Sequence, residues 1–99
     1  MKTLQEIKAY LDQEYRVYKL NPDIARDEVR TDVDPAKHAF GDALVMIENS
    51  QTPEQFVEKV RRNQARMSGW TIAYPEKAYR DKACAYYQMI VDFAEEDEQ

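Results

Sequence analysis

Residues 78–94 have the sequence AYRDKACAYYQMIVDFA, and the spacing of its apolar side chains decides the fold class. Apolar residues recur in this stretch at intervals of four and three, which is the heptad rhythm of a helix that packs along a seam. More apolar side chains flank the seam on both sides, and so apolar a helix lies either at the centre of a bundle or in a subunit interface. The predicted seam residues are Tyr79, Ala83, Tyr86, Ile90 and Phe93.

Capping residues and prolines mark further helix ends. Thr3 and Glu6 have the spacing of a capping box. Gly69 is predicted to end the third helix as the glycine of a Schellman-type stop, with Trp70 supplying the hydrophobic contact. A proline at the first helical position loses no backbone hydrogen bond, so every proline predicts a helix start. The four prolines are Pro22, Pro35, Pro53 and Pro75.

These signals predict an all-α fold. We expect a small helical bundle of four main helices, at about 4–20, 35–49, 53–68 and 75–94, with a short, mostly polar helix near 22–30. No internal repeat or linker interrupts residues 1–94, which are therefore predicted to form a single helical domain. Residues 95–99 are expected to be an acidic, frayed C-terminal tail, because acids are unfavourable at the negative end of a helix dipole. The alternative is a tail that contacts a basic partner or folds back over the basic segment of its own chain.

The net charge of −5 is distributed unevenly along the chain. Residues 21–58 carry nine acids and three bases, a net charge of −6, whereas residues 59–91 carry seven bases and two acids, a net charge of +5. Lys59, Arg62 and Arg66 share one face of the third helix and are candidate binding residues for phosphates or for an acidic protein. Carboxylates of the acidic segment would instead mimic phosphates and occupy a basic groove. An ordinary solvated face is the competing interpretation of the three basic residues. The acidic-face candidates are Asp23, Asp27, Glu28, Asp32 and Asp34.

Aromatic side chains are more numerous than so small a core can enclose, with seven tyrosines and one tryptophan. Tyr10 and Val17 form a second stripe on the first helix, and Tyr87 widens the apolar surface of the last one. We take these three as candidate partner-binding residues, because aromatic residues are enriched in protein interfaces. The competing interpretation places the tyrosines at the rim of the core, with their hydroxyls in water. Gly41 is predicted to let another backbone approach the second helix closely.

Residues suited to catalysis are few. His38 is the only histidine and Cys84 the only cysteine, and no local motif joins them as base and nucleophile. Asp32 and Asp34 suggest a calcium loop, but Lys37 and Ala43 occupy the positions where its glycine and glutamate are required, and two glycines are too few for a phosphate-binding loop. We therefore predict no catalytic residue, no metal site and no cofactor. Both His38 and Cys84 are expected to pack in the fold or to lie at its surface.

The most favoured function is that of a non-enzymatic small regulator or inhibitor that binds another protein, of the immunity type or of the type that phages and mobile elements encode. Segregated charge steers such association. One alternative is a helix-turn-helix nucleic-acid-binding regulator that uses the basic face of the third helix, although its bases lie late in that helix and the pI of about 4.9 is low. Another is a homodimer built on the last helix. The single cysteine and the lack of an apolar run near ~20 residues favour a cytoplasmic protein without membrane contact.

Overall fold

The computed structural model describes residues 1–20 and 35–96, and for residues 18–20 the backbone only. The described residues form four α-helices and no strand: α1 Leu4–Leu20, α2 Pro35–Glu48, α3 Pro53–Gly69 and α4 Lys77–Ala94. The predicted small bundle of four main helices is therefore confirmed. The short helix expected near 22–30 lies outside the described residues. The same holds for the acidic-face candidates Asp23, Asp27, Glu28, Asp32 and Asp34.

Two of the predicted helix starts have the expected caps. The Thr3 N–H donates to Glu6 Oε1 (2.9 Å) and the Glu6 N–H donates to Thr3 Oγ1 (3.1 Å), which is a reciprocal capping box. At the start of α3, Thr52 Oγ1 accepts from the Gln55 N–H (3.1 Å), and Pro53 takes the first helical position. Each bond satisfies a backbone N–H that has no partner within the helix.

Two other predictions about helix ends are wrong. The helix α4 begins at Lys77 rather than at Pro75, because the Arg80 guanidinium binds the carbonyls of Tyr74 (2.8 Å) and Pro75 (2.9 Å) and holds this backbone ahead of the helix. Gly69 does not form a Schellman stop, since no described residue has a positive φ. Instead the Trp70 N–H donates to Met67 O (3.2 Å), so α3 ends in a tightened last turn.

The last helix is the centre of the bundle. It contacts each of the other three helices, and most extensively α2 and α3, whereas α1 packs mainly on α2. This arrangement explains why more than half of the circumference of α4 is apolar. Of the predicted seam, Tyr79, Ala83 and Ile90 are fully buried, while Tyr86 and Phe93 pack partly exposed against the core. None of the described helices is long and apolar enough to cross a lipid bilayer.

Candidate functional site

A network of four polar side chains connects α2 to α4. Nδ1 of His38 lies 2.7 Å from the Tyr79 hydroxyl, and Nε2 lies 3.1 Å from Asp42 Oδ2. The Tyr87 hydroxyl donates to the same Asp42 oxygen at 3.0 Å. His38 and Asp42 are one turn apart on α2, and the two tyrosines are two turns apart on α4, so regular helix geometry brings the four groups together. We call these residues the His–Asp–Tyr network.

The electrostatics of the network keep Asp42 ionised. Burial of Asp42 opposes ionisation, but the hydrogen bond and charge of His38, together with the Tyr87 hydrogen bond, outweigh it and lower the pKa of the carboxyl. Burial raises the pKa of the Tyr87 phenol far above its usual range, and the Asp42 charge adds to that effect. At neutral pH the network therefore contains a carboxylate that accepts and a phenol that donates.

The geometry of the network suits structural work better than catalysis. A general base needs a ring nitrogen that can reach a substrate. Both nitrogens of His38 already face network partners, and its side chain is only 11% exposed. Tyr79 is fully buried, so no solute reaches its hydroxyl. Within residues 1–20 and 35–96 there is also no group of three His, Cys, Asp or Glu residues that could hold a metal ion.

Cys84 lies on a different side of α4 from the network. Its thiol donates to the Gln64 carbonyl on α3 at 3.5 Å, and the side chain is half-buried. Burial and the neighbouring Asp81 charge raise the pKa of the thiol, which favours the unreactive protonated form. Cys84 and His38 therefore have separate partners and do not form a nucleophile–base pair.

Residues 70–75, between α3 and α4, form an apolar loop that packs against the His–Asp–Tyr network. The Tyr74 ring stacks on Tyr79, with centroids 4.9 Å apart and planes within 5°. The Trp70 ring meets Tyr74 edge-on at 5.1 Å, and the Arg66 guanidinium lies 4.7 Å from the Trp70 ring. Ile72, between the two aromatic residues, is 95% exposed. The base of the apolar loop is thus packed on the core while its tip projects into solvent.

Backbone hydrogen bonds hold the shape of the apolar loop. The Tyr74 N–H donates to Trp70 O at 3.1 Å, which closes the loop on itself. Arg80 then donates to two carbonyls at the end of the loop, those of Tyr74 and Pro75. Charged donors make stronger hydrogen bonds than neutral ones, so this contact is an effective clamp. These bonds therefore fix the shape of the apolar loop.

A cleft of about 320 Å³ lies beside the apolar loop, on the outer face of α2. The Asp42 side chain is 46% exposed, so the carboxylate belongs both to the network and to the solvent-facing wall of the cleft. Gly41 has a van der Waals neighbour here, because a Cβ added to it would lie 3.5 Å from Tyr15 Cε2. The predicted close approach of another backbone is thus replaced by a side chain of α1. The residues that line the cleft are Lys37, His38, Gly41, Asp42 and Tyr74.

The three predicted basic residues of α3 do not form one free cationic surface. Lys59 Nζ donates to the Asn49 carbonyl, and Arg62 pairs with Glu58 at 2.6 Å. Both line an open polar groove near the α2–α3 connection. Arg66 lies apart from them, against Trp70. Of the three, the structure brings only Arg66 to the apolar loop.

The three predicted aromatic and apolar candidates have different environments. Tyr87 is 1% exposed, so its side chain is not on a partner surface; the central position of α4 buries it, and Asp42 satisfies its hydroxyl. Tyr10 is half-buried and stacks on Phe93 with ring centroids 4.1 Å apart. Val17 is 38% exposed on α1 and remains a surface residue.

The residues at the tip and base of the apolar loop were not among the predicted partner-binding residues: Trp70, Ile72 and Tyr74. A signal was present, because WTIAY (residues 70–74) is an apolar run with no helical period between two helices. Such a run is unfavourable on a surface unless it has a function.

Comparisons with family models, curated proteins and solved structures find no match to this chain. The apolar loop and the cleft beside it are therefore the strongest basis for a function, through their geometry alone.

Proposed function

We propose that this protein is a non-enzymatic small regulator or inhibitor that binds another protein through the apolar loop. The observation that carries the proposal is the exposure of Ile72, 95%, at the tip of a loop whose base is packed on the core. Burying apolar surface contributes roughly 25 cal/mol per Å², and this gain is available only when a partner covers the loop. Trp70 and Arg66 beside it are of the residue types that dominate binding energy in interfaces.

Order in the unbound state supports the same proposal. Binding costs free energy when loops and side chains must be immobilised, and a loop that is ordered beforehand avoids much of that cost. The Tyr74–Tyr79 stack and the Arg80 clamp provide this order. A docking loop built in this way binds a protein surface without a rearrangement of the bundle.

The proposal is tested by capturing partners from the native cell on the wild-type protein, identifying them by mass spectrometry, and measuring variant affinities. Ile72→Asp should weaken binding of the captured partner at least about tenfold, because it places a charge at the centre of the interface. Met89→Asp is the matched control: Met89 is an exposed apolar residue of α4 that lies about 18 Å along the helix from its start. Equal loss in both variants, or no loss in either, contradicts docking through the loop.

Two other modes of binding remain proposals beside docking through the apolar loop. If the acids of residues 21–34 bind a basic groove, as an immunity-type or phage-type inhibitor would, reversing Asp23 and Asp27 to lysine abolishes binding while Ile72→Asp does not. If the protein is a helix-turn-helix regulator, reversing Lys59, Arg62 and Arg66 to glutamate abolishes nucleic-acid binding. The short α2–α3 connection favours the second mode, and the pairing of Arg62 with Glu58 weighs against it.

Self-association through α4 is the third alternative to docking through the apolar loop. Met89 is 43% exposed on this helix, and Met89→Asp would dissociate such a homodimer. A monomeric mass in light scattering at high concentration contradicts it. Cytoplasmic location is part of the main proposal, since a lone cysteine is typical of reducing compartments.

A further inference from the structure

We infer that the cleft beside the apolar loop binds an arginine side chain of the partner protein, next to the apolar residue that covers Ile72. The inference rests on the proposed function for the presence of a partner protein at the loop. It adds the chemistry of that partner: a segment with an apolar side chain adjacent to an arginine. The juxtaposition that supports it is a half-exposed carboxylate and an aromatic ring that line one cleft, with the exposed Ile72 two residues along the chain from that ring.

Asp42 supplies the charge that an arginine would meet. Its contacts with His38 and Tyr87 both end on Oδ2. Within residues 1–20 and 35–96, no hydrogen bond to Oδ1 is formed, and the side chain is 46% exposed. The network holds the carboxylate in one orientation, so a cationic donor in the cleft finds a fixed acceptor. A fixed acceptor gains more from a guanidinium than a mobile surface carboxylate does, because less side-chain entropy is lost on pairing.

Tyr74 supplies an aromatic ring at the cleft. The ring stacks on Tyr79 and has edge contacts with Trp70 and His38, and it also lines the cleft. Arginine combines a planar cation that stacks on aromatic rings with a fork of donors that match a carboxylate. Lysine, a compact and strongly hydrated charge, meets only the second of these requirements. The pairing of ring and carboxylate therefore favours arginine.

Lys37 also lines the cleft, and its charge decides the sign of the test. A cationic ligand is attracted by Asp42 and repelled by Lys37 and by Arg66 of α3, whose charge also acts on Asp42, whereas an anionic ligand experiences the opposite forces. Removing each charge separately therefore distinguishes the two kinds of ligand. The substitution Lys37→Gln leaves the bonds of His38 and Tyr87 to Asp42 in place, since Lys37 takes no part in them.

The experiment is an amide NMR titration of the full chain with N-acetyl-arginine amide. The controls are the uncharged isostere N-acetyl-citrulline amide, N-acetyl-glutamate amide and inorganic phosphate. We expect saturable shifts at Gly41, Asp42 and Tyr74 with the arginine compound alone. No saturable shift with arginine, equal shifts with citrulline, or tighter binding of glutamate or phosphate overturns the inference.

Two substitutions, each of which removes one charge of the cleft, test which charges affect arginine binding. Asp42→Asn should weaken arginine binding about tenfold or more, the loss expected for a hydrogen bond to a charged group, and Lys37→Gln should tighten it about twofold. If Asp42→Asn fails to fold by circular dichroism, the direction of the Lys37→Gln effect decides alone, and weaker binding overturns the inference. The small ligand does not need Ile72, so arginine binding in the Ile72→Asp variant remains. Failure of this titration is thus distinct from failure of docking through the loop.

Discussion

At the scale of single residues, Asp42 shows how one carboxylate serves the interior and the surface together. Its Oδ2 accepts from His38 and Tyr87, and these bonds connect α2 to α4. The rest of the group faces the cleft. A carboxylate in this position costs desolvation energy, which the two donors offset. Asp42 is therefore both the proposed acceptor for an arginine ligand and a link that stabilises the helix pair.

Removing the Tyr87 hydroxyl tests the interior half of this arrangement. We expect Tyr87→Phe to lower the free energy of unfolding by about 1 kcal/mol, the typical contribution of a hydrogen bond, because the buried ring keeps its packing and only the donor is lost. Urea denaturation followed by circular dichroism measures the change. Tyr15→Phe is the control, at a half-buried tyrosine of α1 outside the network. Equal effects of the two variants would mean that the bond to Asp42 contributes nothing.

Gly41 offers a gain in stability at a single position. It lies inside α2 without a positive φ, and a Cβ there would meet only Tyr15 Cε2 at an ordinary distance of 3.5 Å. Alanine in a helix interior is more favourable than glycine, so Gly41→Ala should raise the free energy of unfolding by about 0.5–1 kcal/mol. A shift of the urea midpoint to higher concentration at constant slope is the expected reading. A lower midpoint would show that α1 cannot accommodate the methyl group.

At the scale of helices and loops, local rules predicted the starts of α1 and α3, because a capping box or an N-cap acts within one turn. The start of α4 was not predictable in the same way. Arg80 binds backbone carbonyls several residues earlier, and no propensity of Pro75 reports that contact. The burial of Tyr87 was not predicted for a similar reason. The direction from which α2 packs decides which side of a widely apolar helix is buried.

The sequence favours an ordered connector at residues 70–74, but the contacts that hold it were beyond local rules for the same reason. Its order depends on the Tyr74–Tyr79 stack, whose partner is in the next helix, and on the clamp from Arg80. The apolar run at residues 70–74 was visible in the sequence, but no rule about periodicity shows that it projects from a fixed base. Loops that carry function on a rigid scaffold often have this character.

Loosening the clamp tests the order of the apolar loop. Arg80→Met keeps most of the aliphatic side chain and removes both bonds to the loop carbonyls. We expect the Tyr74 amide, which donates to Trp70 O, to exchange with deuterium roughly tenfold faster or more, because charged hydrogen bonds contribute substantially to local order. Lys77→Met, at an exposed residue of the same helix, is the control. Unchanged exchange at Tyr74 in the Arg80 variant would show that the aromatic stack alone holds the loop.

At the scale of the whole molecule, oppositely charged residues that are far apart in the sequence contact each other in the fold. Arg61 of the basic segment donates to both carboxylate oxygens of Glu95, at 2.9 Å each. Glu95 is the first residue of the segment predicted as an acidic tail, but it is also the C-cap residue of α4, so this contact lies at the helix end and the folded-back alternative remains a prediction. Residues 97–99 lie outside the described part, and fraying there remains a prediction. Less of the charge on α3 is therefore unpaired than the sequence alone indicates.

The pH dependence of global stability follows from Asp42. Its pKa is lower in the folded protein than in the unfolded chain, so its stabilising contribution is complete above the unfolded pKa and is lost as pH falls through the folded pKa. Asp42→Asn should therefore flatten the fall in the free energy of unfolding between about pH 5 and pH 2. Urea denaturation across this range measures it, with Asp12→Asn on the exposed face of α1 as control. If the free energy of unfolding fell equally steeply with decreasing pH in the wild type and in Asp42→Asn, Asp42 would not be the source of this pH dependence.

Trp70, the only tryptophan of the chain, lies at the base of the apolar loop and is 36% exposed. Its indole emission therefore reports from the proposed docking surface and from nowhere else in the molecule. A partner that covers the loop displaces water from this ring, and the emission maximum should move to shorter wavelength. Association can thus be followed optically on the unlabelled, unmodified protein, and a partner that binds elsewhere would leave the emission unchanged.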